Sequence, residues 1–222
     1  MSEQLGRYVR IEGPDGAGKT TQLQLAQDFS IEHDIPATFV REPGGTELGV
    51  EIRHMLLTNK SHDLSPMTEV LLFTADRNHL VETVILPKLE DDELVIGDRG
   101  IESTKIYQAA GGGIDPDMIQ EISNRILPHR YVRPDALALL SISRSTREKR
   151  MADRYRTEGA DKIEQRQAEY FDRVFEGYKS LEKEDYVTIV NAERTPEEVF
   201  YDMKPILFGK YLPRDTHKTT IV

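Results

Sequence analysis

Eight residues constrain this chain more than any others. Gly13-Pro14-Asp15-Gly16-Ala17-Gly18-Lys19-Thr20 fits G-x-x-x-x-G-K-[ST] at every defined position. The pattern has a physical reason. Its glycines let successive backbone N–H groups turn toward one point, where they cradle the phosphates of a nucleotide. Lys19 adds positive charge at the β- and γ-phosphates, and the Thr20 hydroxyl can hold Mg²⁺. The helix that follows offers the same anion its positive end. The flanks agree: the apolar run Tyr8-Val9-Arg10-Ile11 precedes the loop and a helical stretch opens at Lys19. The expected triphosphate contacts therefore run from Gly13, Pro14, Asp15, Gly16, Ala17 and Gly18 through Lys19, Thr20 and Thr21.

The rest of the chain repeats this alternation of short apolar runs and longer amphipathic stretches, which reads as βαβ units around a parallel sheet. Strands are expected at residues 7–12, 37–42, 94–98, 136–142 and 186–190. Helices are expected from Lys19 to about Ser30 and over about 48–57. A long one runs from Pro66 toward Leu86, with Ser65 as its N-cap. Others start near Glu102 and Asp117. Residues 145–183 are helical in composition but interrupted at Thr157–Gly159, and Thr195-Pro196-Glu197-Glu198 announces the last helix.

Composition narrows the chemistry. The chain has 222 residues, no cysteine and a net charge of −10. Absence of cysteine removes disulfides, zinc-thiolate sites, iron–sulfur clusters and thiol nucleophiles. An acidic surface argues against a nucleic-acid scaffold or a binder of anionic membranes. Mean hydropathy is −0.52, and no apolar run approaches membrane-spanning length. The first residues lack the pattern of a secretory signal, so a cytoplasmic location is expected. His33, His54, His62, His79, His129 and His217 show no metal-ligand spacing. A GTPase would carry a base-reading N-K-x-D, which is absent, and a motor ATPase would need far more chain. A small-molecule kinase remains.

Arginines point to an anionic acceptor. Arg41 ends one expected strand, Arg99 follows another, and Arg53 and Arg77 lie on helices. In open α/β sheets ligands bind beyond the carboxyl ends of strands. There Asp98 suits a Walker-B-type acid near Mg²⁺, and Arg99 can fork onto a phosphate. Phe73 and Arg77 share a helix face at i, i+4, an aromatic surface with a guanidinium beside it. Spacing alone leaves Phe73 open between a base platform and a core residue. Ser103 and Tyr107 repeat the spacing, with Thr104 and Gln108 one step round. That pattern also fits a solvated helix face.

Together these residues resemble the thymidylate kinase family. The resemblance rests on Glu12–Gln22, on Arg41-Glu42-Pro43-Gly44-Gly45-Thr46-Glu47-Leu48-Gly49, and on Leu72-Phe73-Thr74-Ala75-Asp76-Arg77. It extends to Asp98-Arg99 with Ser103-Thr104 and Tyr107-Gln108, and to Asp161-Lys162-Ile163-Glu164. The block at Arg41–Thr46 is similar to the bacterial-type branch. The resemblance implies transfer of the γ-phosphoryl group of ATP to dTMP with Mg²⁺. It implies the nucleoside monophosphate kinase fold, a five-stranded parallel sheet flanked by helices, with a mobile lid. It also implies a homodimer packed through helices that include the one after Ser65.

The same resemblance implies roles by position. Asp15 would contact the sugar 3′-hydroxyl or the acceptor phosphate. Phe73 would stack on thymine and Arg77 reach its O4. Ser103, Thr104 and Gln108 would lie near the base edge, while Tyr107 crowds the 2′ position. Arg53 and Arg99 would bind the acceptor phosphate, and Pro43 would follow a cis bond beside it. Ala17 leaves the loop without an arginine, so Arg150, Arg154 and Arg156 become the candidates, Arg150 nearer adenine and the other two catalytic with Lys19, Asp15 and Arg99.

Gly100 departs from the family, which usually has a bulky residue after the D-R pair. It raises the expectation of a looser wall beside the acceptor. It keeps open a kinase for dUMP or a modified pyrimidine nucleotide. A P-loop regulator without turnover is a further alternative. The expected organisation is one kinase domain over residues 1–208, with a lid at about 147–164, and a tail over 209–222.

Overall fold

The structure, a computed structural model, describes residues 6–58 and 63–213. Most of the expected tail (residues 214–222), His62 and His217 lie outside the described residues.

Five strands form one all-parallel sheet: β1 (Arg7–Glu12), β2 (Ala37–Arg41), β3 (Leu94–Asp98), β4 (Ala136–Ser141) and β5 (Val187–Asn191), in the order β2-β3-β1-β4-β5. β1 lies at the centre, buried along almost its whole length: Tyr8, Val9 and Ile11 are fully buried, and so are the charged Arg10 and Glu12. Strands buried on both faces are what a parallel sheet covered by helices demands. The register sets Ile11 beside Asp98, and Asp98 beside Arg41. The carboxyl ends of β1, β2 and β3 thus finish level, at the crevice where α/β sheets bind ligands.

Helices cover both faces. α1 (Lys19–Glu32) starts directly after the loop, and Gly18 ahead of it has φ 94°, a left-handed conformation that favours glycine. α2 (Glu47–Arg53) is capped by Thr46, whose hydroxyl accepts from Gly49 N. α3 (Pro66–Leu80) begins as expected, with Ser65 Oγ accepting from Thr68 N. It passes through a π-type turn (Val81–Ile85) into α4 (Leu86–Glu90). α5 (Ile101–Thr104) continues as a π-type turn over Lys105–Gly111. Then come α6 (Pro116–Ile126), α7 (His129–Val132), α8 (Arg144–Glu158) and α9 (Ala168–Ser180). α10 (Pro196–Phe208) opens with a reciprocal capping box between Thr195 and Glu198.

Differences from expectation are local. β2 stops at Arg41, just short of Pro43, which has no N–H for the ladder, and the Glu42–Pro43 bond is cis. The bond is cis as the resemblance implied. β5 sits one residue later than expected. The helix expected over 48–57 ends at Arg53 and widens into a π-type turn at His54–Thr58. α7 is too short for its periodicity to show in sequence.

The core lies in layers on either side of the sheet. One packs Val9, Ile11 and Ala26 against Met203, Leu207 and Phe208 of α10. Opposite, Tyr8 and Val95 meet Leu80, Val81 and Ile85. A third cluster joins Ile106 and Tyr107 to Ile163, Tyr170, Val174 and Tyr178, so α9 supports the wall of the crevice. Among the described residues no helix is long and apolar enough to cross a membrane.

Candidate active site

A cavity of about 670 Å³ opens at the carboxyl ends of β1, β2 and β3. From the loop side Asp15, Gly16, Gly18, Lys19 and Thr20 line it. From the far side come Pro43, Arg53, Phe73, Arg77, Ser103, Thr104, Tyr107 and Gln108, with Asp98 and Arg99 between and Arg154 above. Gly13, Pro14 and Ala17 are buried in the loop itself, and Thr21 is exposed on α1.

Lys19 is buried and folds back on its own loop, donating to Gly13 O at 2.7 Å and Pro14 O at 3.0 Å. Burial, with Arg99 nearby, lowers its ammonium to a pKa of about 8, against the pull of Asp15, Asp98 and Glu12. Arg99 follows β3 with φ 73°, a left-handed conformation costly for a side chain larger than glycine. That backbone turns the guanidinium across the crevice. It ion-pairs with Asp15 and donates to Ser103 Oγ at 3.0 Å. Asp15 also accepts from Tyr107 Oη at 2.7 Å. Burial alone would raise the Asp15 carboxyl, but Arg99, Lys19 and the Tyr107 hydroxyl hold it near pKa 2.

Arg77 is almost wholly buried. Its Nε donates to Glu42 at 2.6 Å, and Nη2 donates to Gly100 O and to Thr104 Oγ1, each at 3.1 Å. Its Nη1 is buried without a hydrogen-bond partner, and the residue as a whole lines the cavity. Gln108 donates its amide to Glu69 at 3.1 Å. Phe73 is partly buried, packed on the Ile106–Tyr178 cluster while facing the cavity. The two readings of Phe73 are therefore compatible. Arg53 donates to Pro43 O at 3.0 Å.

The arginines of α8 separate. Arg150 donates to Gly16 O at 3.1 Å and Ala192 O at 3.0 Å, which fixes α8 to the loop. Arg154 reaches the cavity and pairs with Glu164. Arg156 is exposed, 3.4 Å from Asp153, and does not line the cavity. Beyond α8, Glu164 N donates to Asp161 Oδ1 at 2.8 Å and Lys162 N to Leu57 O at 3.0 Å. Residues 160–165 thus lie along the rim of the cavity. Asp161, facing Asp15, is raised by burial to a pKa of about 6.

Two residues beside the cavity have no independent signal in the sequence. Glu12 accepts from Gly100 N and Ser103 N at 3.1 Å each and from Ser103 Oγ at 2.8 Å. It ties the end of β1 to the segment after β3. Tyr178 donates to Gly13 O at 2.9 Å. The i, i+4 repeat of Tyr170, Val174 and Tyr178 signals only a core face.

The looser wall expected at Gly100 is not found. Gly100 is buried, and a Cβ there would stand 2.3 Å from Arg10 Nη1 and 2.6 Å from Arg10 Cδ. The space is filled from β1.

A P-loop at a helix N-terminus, faced across one cavity by an arginine-lined acceptor side, defines a P-loop nucleoside monophosphate kinase. A family model described as thymidylate kinase matches residues 11–203. A thymidylate kinase of Symbiobacterium thermophilum is 35% identical over 213 residues, covering 93% of this chain and 94% of that protein. One from Chlorobaculum tepidum is 38% identical over 199 residues, covering 86% and 92%. The crystal structure of thymidylate kinase from Ehrlichia chaffeensis superposes with a TM-score of 0.71 at 26% identity, covering 91% of this chain and 98% of that one. The chain belongs to the thymidylate kinase family.

Proposed function

We propose that this cavity is where the chain, as a thymidylate kinase, transfers the γ-phosphoryl group of ATP to dTMP, giving ADP and dTDP. One observation carries the assignment. Lys19 and Thr20 on one wall face Phe73, Arg77, Arg99 and Tyr107 on the other across a single cavity, the arrangement that in-line transfer between two bound nucleotides requires.

The loop from Gly13 to Thr21 holds the triphosphate, with Arg150 bracing it from α8. Arg53 and Arg99 hold the acceptor phosphate, and Asp15 meets that phosphate or the 3′-hydroxyl. Thymine lies on Phe73, with Arg77 at its O4 and Ser103, Thr104 and Gln108 around its edge. Tyr107 stands where a 2′-hydroxyl would be. A phosphate monoester is mostly dianionic at neutral pH, so its oxygen attacks without a general base. That oxygen bonds the γ-phosphorus while the bond to the β–γ bridging oxygen breaks, and ADP leaves with the electron pair. Lys19 and Arg154 stabilise the charge of the transferring group.

The residues fit a magnesium ion. Asp98 Oδ1 is buried with no hydrogen-bond partner, and it shares the cavity with the exposed Thr20. Among the described residues no group of three or more His, Asp or Glu gathers into a metal cage. This suits Mg²⁺, which is usually bound by one or two protein oxygens plus phosphates and water. The ion would neutralise charge between the β- and γ-phosphates.

Residues 147–164 act as the lid of a single domain over 1–208. The homodimer is supported by Leu48, Val50, Met55, Leu71 and Met118, which are 42–53% exposed on and beside α2, α3 and α6. An apolar contact suits two copies that each carry −10. Light scattering at micromolar concentration reads the mass of a dimer if this holds and of a monomer if it does not. The function itself is tested by ADP release with a panel of nucleoside monophosphates. dTMP should lead dUMP and the ribonucleotides. Lys19→Ala should remove most turnover while the chain stays folded. A dominant dUMP activity would reassign the acceptor, and no turnover with any of them would favour a nucleotide-binding regulator.

A further inference from the structure

Arg10 has no expected role, yet it is fully buried in the central strand β1. Its guanidinium lies beside the stacked rings of Tyr8 and Tyr131, 5.4 and 5.1 Å from their centroids. Nη1 donates to Glu102 at 2.8 Å, and Nη2 donates to the carbonyls of Tyr131 at 2.7 Å and Val132 at 3.1 Å. A buried charge is retained at a desolvation cost that only good partners offset. What those partners lead to is informative. Tyr131 Oη donates to Glu42 Oε1, and Glu42 Oε2 receives Arg77 Nε. Arg77 Nη2 donates to Gly100 O, and Gly100 is the residue whose missing Cβ makes room for Arg10. Its φ of −172° is open to any residue, so the requirement is for space, not for backbone freedom. Two of the anchors of Arg77, the Glu42 carboxylate and the Gly100 carbonyl, are therefore held from beneath by Arg10.

We propose that Arg10, with Glu102 and Gly100, is a positioning unit for acceptor recognition: it fixes the Tyr131–Glu42 and Gly100 anchors that hold Arg77 at the wall of the cavity. The proposal rests on the reading that Arg77 contacts the acceptor base. Arg10 touches no substrate. Its effect is the orientation of Arg77, so it bears on the nucleoside monophosphate and not on ATP.

The test uses the full-length enzyme and four variants. Arg10→Met with Glu102→Gln removes both buried charges together, which avoids leaving one unpaired. Gly100→Ala keeps the pair but crowds the guanidinium. The third combines all three substitutions, and Arg77→Met reports the underlying contact. Small misplacements of a positioning group cost up to about 100-fold. We expect the KM for dTMP to rise about tenfold in the first two variants, the preference for dTMP over dCMP to fall with it, and the KM for ATP to stay within about twofold. In the combined variant Gly100→Ala should add little, because its clash partner is gone. If Arg77→Met raises the KM for dTMP but the Arg10 and Gly100 variants lower only the melting temperature, Arg10 is structural and the proposal fails alone. If Arg77→Met leaves dTMP binding unchanged, the reading of Arg77 fails and takes the proposal with it. An equal loss for dTMP and ATP would mean general disruption and would also overturn it. Should the Arg10→Met, Glu102→Gln protein not fold, Gly100→Ala decides.

Discussion

The Tyr107 hydroxyl lies 2.7 Å from Oδ2 of Asp15, and Arg99 holds the other carboxylate oxygen. One carboxylate in the phosphate loop is thus oriented by two residues from the segment after β3. Its pKa of about 2 keeps it ionised at any working pH. Removing the hydroxyl by Tyr107→Phe costs a hydrogen bond to a charged group, about 1.5–3 kcal/mol, or roughly 10- to 100-fold in kcat/KM for dTMP. The retained ring should still exclude ribonucleotides. Tyr107→Ala should lose that discrimination as well. Comparing kcat/KM for dTMP and its ribo analogue separates the two effects, and equal discrimination in both variants would return Tyr107 to a packing role.

Lys19 must be protonated to meet the triphosphate, and burial has lowered it to a pKa of about 8. The free enzyme should therefore lose kcat/KM for ATP as pH rises through about 8, since that parameter reports free-enzyme ionisations. Bound triphosphate favours the ammonium, so the corresponding fall in kcat should lie at higher pH. The stability contribution has the opposite slope. The folded state binds the Lys19 proton more weakly than the unfolded chain, so stability rises from about pH 8 toward the usual lysine range. A kcat/KM profile flat to about pH 9.5 would contradict this account.

Arg154 and Arg156 stand two residues apart on α8, yet only Arg154 lines the cavity. Arginines that stabilise a transferring phosphoryl group contribute about 10³–10⁵ in the GTPases. Arg154→Met should lower kcat by at least about tenfold with a smaller change in the KM for ATP. Arg156→Met should resemble the parent enzyme. A raised KM with normal kcat in Arg154→Met would make this residue a ground-state binder.

Asp76, beside Arg77 in α3, receives Gly44 N at 3.2 Å on Oδ1, while Oδ2 is buried without a partner. Burial raises its pKa to about 6, the Gly44 hydrogen bond opposing and Glu42 reinforcing. The folded state keeps this proton to higher pH than the unfolded chain does. The ionised carboxylate therefore costs stability once pH has risen from about 4 through about 6, by at most about 3 kcal/mol. Asp76→Asn removes that slope. Urea unfolding should show the variant gaining on the parent between about pH 4.5 and pH 7. A constant difference across that interval would exclude the ionisation of Asp76 as its source.

The local elements were legible because their causes are local. The phosphate loop is eight consecutive residues, and its glycines, Lys19 and the strand–helix flanks all lie within about one βα unit. β1 and β3 are readable as short apolar runs, and the starts of α3 and α10 as cap residues followed by proline. The resemblance carried this further, naming Phe73, Arg77, Arg99 and Tyr107 as one group before any distance linked them.

What tertiary structure decided is which of these residues meet, and what stands behind them. Asp15 and Arg99 are 84 positions apart. They face each other because β3 pairs with β1 and both strands end level. Phe73 divides its surface between core and cavity, which helical spacing cannot express. Helical spacing puts Arg154 and Arg156 on opposite sides of α8, but it is the fold that turns the Arg154 side toward the cavity, where residues 160–165 supply Glu164. Gly100 read as a gap because a glycine in sequence shows only a missing side chain. In the fold it is the complement of Arg10, 90 residues earlier in the chain and packed against it. Sequence by itself determined the chemistry that is written in contiguous residues. The geometry of the acceptor site was decided by strand order and burial, because its contacts join segments that only the folded sheet brings together.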